Sequence, residues 1–173
     1  MKIVFCFALI LTTMNVSAQE LNKKIHDEAH NREILINTCS REGMTSFPEF
    51  KVMFDPLYAS YLPDSTTITQ IKPLLDKTHI KIVFGTWCGD SKVYVPHFFK
   101  ILDAAAYGEK NVDIIAVDGN KKAENGLVDS LDIQRVPTFI VYNDNNKELG
   151  RIVEHPNTTL EADLLEILNT KKQ

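Results

Sequence analysis

The chain has 173 residues, with 19 Lys or Arg against 23 Asp or Glu for a net charge of −4, and 44% of its residues are hydrophobic. That length supports one core of ordinary size, and the acidic balance without a basic face argues against nucleic-acid binding. Three cysteines are too few for a disulfide-built scaffold.

Residues 1–18 read as a secretory signal, because Lys2, an apolar run over 3–11 and Val16-Ser17-Ala18 give its charged, apolar and small-residue regions in order. Cleavage after Ala18 leaves Gln19 first and removes Cys6. The apolar run is shorter than the roughly 20 residues a membrane-spanning helix needs, and no later segment approaches that length. The expected protein is therefore exported, to the periplasm or the medium, with no membrane span. In an oxidising compartment Cys39 and Cys88 are either one bridge or reactive thiols.

Residues 19–78 read as an N-terminal helical extension. Over 20–37, Leu21, Ile25, Ala29 and Ile34 fall near one stripe, which predicts an amphipathic helix. The looser segment 38–63 crowds Phe47, Phe50, Phe54, Tyr58 and Tyr61 between prolines, and these aromatics are expected to pack a short helix onto the main domain.

Residues 79–173 read as the main domain. Residues 80–84 (Ile-Lys-Ile-Val-Phe) predict a buried strand, 89–106 a helix interrupted by Pro96, and 112–117 a second buried strand. A polar helix over 123–131 and a third strand over 136–142 follow. The Asn/Asp turn at 143–146 then returns an antiparallel strand over 148–153. Thr158-x-x-Glu161 has the form of a capping box for a last helix carrying Leu160, Leu164, Ile167 and Leu168. The order predicts an α/β fold with a central mixed sheet and helices on both faces.

Phe84-x-x-Trp87-Cys88-Gly89-Asp90-Ser91-Lys92 resembles the active-site segment of the thioredoxin superfamily, in which a strand ends in Trp-Cys-x-x-Cys at a helix start. Pro96, Val117-Asp118 and Val136-Pro137-Thr138 stand where that family has its helix proline, the end of its middle strand and its cis-proline. The resemblance implies a thioredoxin-like fold, thiol–disulfide chemistry at Cys88, and a substrate groove formed by Trp87, Gly89, Asp90, Val136 and Pro137. Physically, a cysteine at a helix start faces unpaired N–H groups and the positive end of the helix dipole, which favour the nucleophilic thiolate, while Asp90 opposes it.

Ser91 departs from the family pattern, because a hydroxyl cannot resolve a mixed disulfide by exchange. It can instead donate a hydrogen bond to the Cys88 thiolate. Ile82, six residues before Cys88, stands where thioredoxins commonly bury an acid that serves the second thiol. The two departures agree and describe a one-thiol site. Its adduct could be resolved by glutathione or another small thiol, by Cys39, or could persist. The expected function is monothiol exchange on exported cysteine-containing proteins or small thiols. The alternative is a non-catalytic binding module on the same fold. No cofactor is implied, and His79, His97 and His155 lack the spacing of metal ligands.

Overall fold

The computed structural model describes residues 20–28 and 30–170, so residues 1–18, which the sequence reads as a secretory signal, and Ala29 lie outside the described residues. Six strands form one sheet in the order β1-β2-β4-β3-β5-β6. The strands are β1 (Lys23–Asp27), β2 (Arg32–Cys39), β3 (Thr78–Phe84), β4 (Val112–Ala116), β5 (Thr138–Asn143) and β6 (Glu148–Val153). Only β3 and β4 run parallel, and every other neighbouring pair is antiparallel.

Residues 20–37 correct the sequence expectation, since they form a β-hairpin and not an amphipathic helix. The Leu21–Ile25–Ile34 stripe does not exist in space: Leu21 is exposed, whereas Ile34, Leu35 and Ile36 are consecutive and all buried. A strand buried on both faces gives an unbroken apolar run, and that run outweighs a helical spacing built from scattered residues. In β1 burial alternates, but two of its three inward positions are Lys23 and Asp27, which hides the two-residue period. At Asn37, where φ is +69°, β2 passes from its pairing with β1 to its pairing with β4. The Asn37 side chain there holds both the backbone N–H and the carboxylate of Glu124, which also pairs with Lys23.

The helical part of the extension begins later, with α1 (Arg41–Ser46), α2 (Pro48–Ser60) and α3 (Ser65–Leu74). Phe47, Phe50 and Phe54 are buried as expected, and the Phe50 ring meets Phe84 edge-on at 5.3 Å. Arg41 locks the extension onto α4 (Gly89–Ala104): its guanidinium lies over the Phe99 ring and pairs with Asp103 at 2.6 Å.

All five α-helices of the described residues, including α5 (Leu160–Asn169), contribute to one apolar core on a single face of the sheet. Among the described residues the second face is covered by Trp87 and by residues 118–135, whose helical content is two single 3-10 turns, Glu124–Gly126 and Asp129–Leu131. The polar helix expected over 123–131 is therefore replaced by these turns. Asn125, Gly126 and Asp132 all adopt positive φ, which an α-helix cannot contain. At α5 the cap is Thr159, which accepts from Ala162 N–H, and not Thr158. Glu161 does not close a capping box; it accepts from the Tyr61 hydroxyl at 2.6 Å and from Asp64 N–H at 3.1 Å.

Candidate functional site

The β3 strand delivers the chain to the site. After Phe84 the ladder with β4 continues for one more bond, Val117 N–H to Phe84 O at 2.9 Å. Gly85 to Cys88 then turn into α4, with Cys88 N–H bonded to Gly85 O at 3.0 Å and Cys88 as the helix N-cap residue. Its side chain makes no capping bond, so the sulfur is available to face outward and is half-buried. Gly85 is required here, because a Cβ on it would lie 2.6 Å from the Trp87 indole. Trp87 is fixed by its ring N–H, which donates to Val117 O at 2.9 Å.

Across from the helix start, the Val136–Pro137 peptide is cis, and the Cys88 thiol donates to Val136 O at 3.1 Å. Val136 and Pro137 are buried, and their backbone is held on both sides. The Thr138 hydroxyl donates to Arg135 O at 2.6 Å, and Glu154 N–H donates to Pro137 O at 2.7 Å. Cys88, Trp87, Val136 and Pro137 thus come together in one place, as their sequence pattern implies. Gly89 and Asp90 are exposed at the rim, and a Cβ on Gly89 would meet nothing within 4 Å, so the approach to Cys88 from that side is open.

Ser91 is fully buried one turn below, where its hydroxyl oxygen accepts from Gly85 N–H at 3.2 Å. That contact ties the loop to the helix and leaves the hydroxyl proton unspent. Cys39 lies elsewhere. It is buried at the end of β2, paired in register with Ile114, and lines a cleft with Arg41 and Phe99. Phe99 is eleven residues along α4 from Cys88, about 16 Å at helical rise. Two strand spacings, about 10 Å, also separate β2 from β3. A disulfide needs Cα atoms within roughly 7 Å, and both thiols are free. Burial pushes the Cys39 thiol up to about 12, against the bond it takes from the Ala116 backbone.

One contact at the site escaped sequence reasoning. Thr86 is fully buried, and its hydroxyl accepts Leu35 N–H at 3.3 Å, tying β2 to the loop that carries Cys88. A threonine between Gly85 and Trp87 gives no sign of a partner 51 residues upstream. Of the histidines, His79 bonds Asp113 and His97 stacks on Tyr61 at 4.2 Å. Among the described residues no group of three or more His, Cys, Asp or Glu is arranged to hold a metal ion, and no helix is long and apolar enough to cross a membrane.

A family model described as Thioredoxin matches residues 51–166. No curated protein matches the chain. Among solved structures, a protein of unknown function from Pseudomonas aeruginosa is similar at 17% identity and a TM-score of 0.47, covering 72% of this chain and 82% of its own. An HIV epitope scaffold is similar at 15% identity and a TM-score of 0.48, covering 72% and 83%. The oxidized form of mitochondrial thioredoxin 3 from Saccharomyces cerevisiae is similar at 21% identity and a TM-score of 0.33, covering 56% of this chain and 86% of its own.

Proposed function

This chain belongs to the thioredoxin family, matched over residues 51–166, and on that premise we propose that it performs thiol–disulfide exchange through Cys88 as a one-thiol site. The observation that carries the reading is the half-buried Cys88 sulfur at the α4 start, 3.1 Å from Val136 O beside the cis Pro137, with buried Ser91 at the second motif position.

In the reaction, the Cys88 thiolate attacks one sulfur of a substrate disulfide. A new S–S bond forms to Cys88, and the other sulfur leaves as a thiolate. A small thiol such as glutathione then attacks the substrate sulfur of this adduct, forms a substrate–glutathione disulfide and returns Cys88 as thiolate; electrons are exchanged between sulfurs with no net oxidant. Ser91, its hydroxyl proton free, donates to the Cys88 thiolate, and Trp87, Val136 and Pro137 wall the groove, with Gly89 and Asp90 at its rim. The buried position of Cys39 favours an external resolving thiol over an internal one. The substrates proposed are exported cysteine-containing proteins or small thiols, with export following from residues 1–18; N-terminal sequencing of the secreted protein is expected to give Gln19 first.

A second reading, a groove that binds without turnover, is favoured by one observation: the Cys88 thiol is engaged with Val136 O. The two are separated by assaying insulin reduction and scrambled-ribonuclease refolding with and without glutathione. Glutathione-dependent turnover that disappears in Cys88→Ser supports exchange, and turnover equal in wild type and variant sinks it.

A further inference from the structure

The second face of the sheet is apolar near Cys88, where Val83, Ile115, Val117, Val128 and Val136 pack together. Four residues earlier on β3, about 13 Å along the strand, its character changes. His79 and Lys81 of β3, Asp113 of β4 and Tyr142 of β5 project from the same face, in register with one another. Charged residues at such interior strand positions stay solvated only where nothing covers them. Among the described residues no α-helix covers this end. Ser130 and Leu131 lie along one side of it and Asn146 of the β5–β6 turn along the other, bounding an open cavity of about 470 Å³.

The hydrogen-bonding capacity left in this cavity is mixed. One Asp113 oxygen takes both His79 Nε2 at 2.8 Å and Lys81 Nζ at 3.1 Å. Burial pushes the Asp113 carboxyl up, but these bonds more than offset it and hold it below the usual carboxylate range. His79 is held through Nε2 by the Asp113 carboxylate, which fixes its ring against the sheet. The second Asp113 oxygen, the Tyr142 and Ser130 hydroxyls and the Asn146 side-chain amide have no hydrogen-bond partner among the described residues.

We propose that this cavity binds a small polyhydroxylated ligand of the mono- or disaccharide class. Sugar hydroxyls donate and accept at once, which matches acceptors on Asp113 and Asn146 interleaved with donors on Lys81, Ser130 and Tyr142. The Tyr142 ring and Leu131 give the apolar surface that the C–H face of a sugar ring covers, and the volume is in the range of small-ligand sites. A simple oxyanion would use the donors alone and face the unengaged Asp113 oxygen.

The test is saturation-transfer NMR on the protein with a panel of hexoses, pentoses and disaccharides, with citrate and phosphate as the anion arm. Backbone amide shifts on titration locate any binding. Transfer to a sugar, with shifts at residues 79–81, 113, 130–131 and 142, is expected. Asp113→Asn and Tyr142→Phe should each weaken it about tenfold. Cys88→Ser should leave it unchanged. No transfer from any sugar, binding of citrate or phosphate alone, or shifts confined to other residues overturns the proposal. The wild-type shift map decides even if a variant misfolds.

Discussion

Cys39 and Cys88 are the same side chain in two environments, and the contrast explains why only one is a candidate for chemistry. Cys88 sits where a strand ends and a helix begins, half-buried beside the Val136 carbonyl. Cys39 sits within a strand pair, packed against the face that carries all five α-helices. There its ionised form has lost its water, and burial pushes the thiol up to about 12. Reactivity in this chain follows from position in the fold and not from the presence of a thiol.

The largest expected effect breaks the comparison directly. Iodoacetamide at pH 7.5 should modify Cys88 in the folded protein and leave Cys39 untouched until denaturant is added, a difference of more than a hundredfold in rate by mass spectrometry. Equal rates would mean that the β2 region opens readily. In the exchange assays Cys39→Ala should keep turnover within about twofold of wild type, and a large loss would restore Cys39 as the resolving thiol.

Ser91 sharpens the comparison from the other side. Ser91→Ala leaves Gly85 N–H without its acceptor and should cost about 1–3 kcal/mol in urea unfolding. Ser91→Cys should give measurable insulin reduction without glutathione, because a second thiol would then stand one helical turn from Cys88. Absence of that gain would mean that the groove does not admit a protein disulfide.

The smallest effect concerns pH. A thiol whose folded value is raised is neutral in both states below about pH 9, so its contribution is intact there. Above that, the unfolded chain loses the proton first, and the stability advantage of Cys39 shrinks as the pH rises toward 12. Unfolding free energies of wild type and Cys39→Ala should therefore converge between pH 8 and 10.5. A constant gap would remove burial as the cause.

Much of the main domain was legible because its signals are local. The run Ile80 to Phe84, the Asn-rich turn before β6 and the Leu160–Leu164–Leu168 stripe each state their element within one window. The hairpin at residues 20–37 was not legible in that way, although Ile34-Leu35-Ile36 carries the signature of a doubly buried strand. What makes it doubly buried is the helix-side core around Leu35 and, at Ile34, the segment Asp118 to Asn120, some eighty residues away in the chain. The helix expected over 123–131 failed for a different reason, since Asn125 and Gly126 take left-handed backbone where the chain must turn tightly over the sheet.

By itself the sequence determined the helix-start cysteine, the serine in place of a second thiol and the Val136-Pro137 segment, because each depends on residue identity at short spacing. Only the tertiary structure decided that Cys39 is walled off, that Thr86 is tied to Leu35, and that the far end of the sheet's second face lies open around Asp113 and Tyr142. These depend on which distant strands become neighbours, and strand pairing is settled by the burial of whole faces, which no local pattern contains.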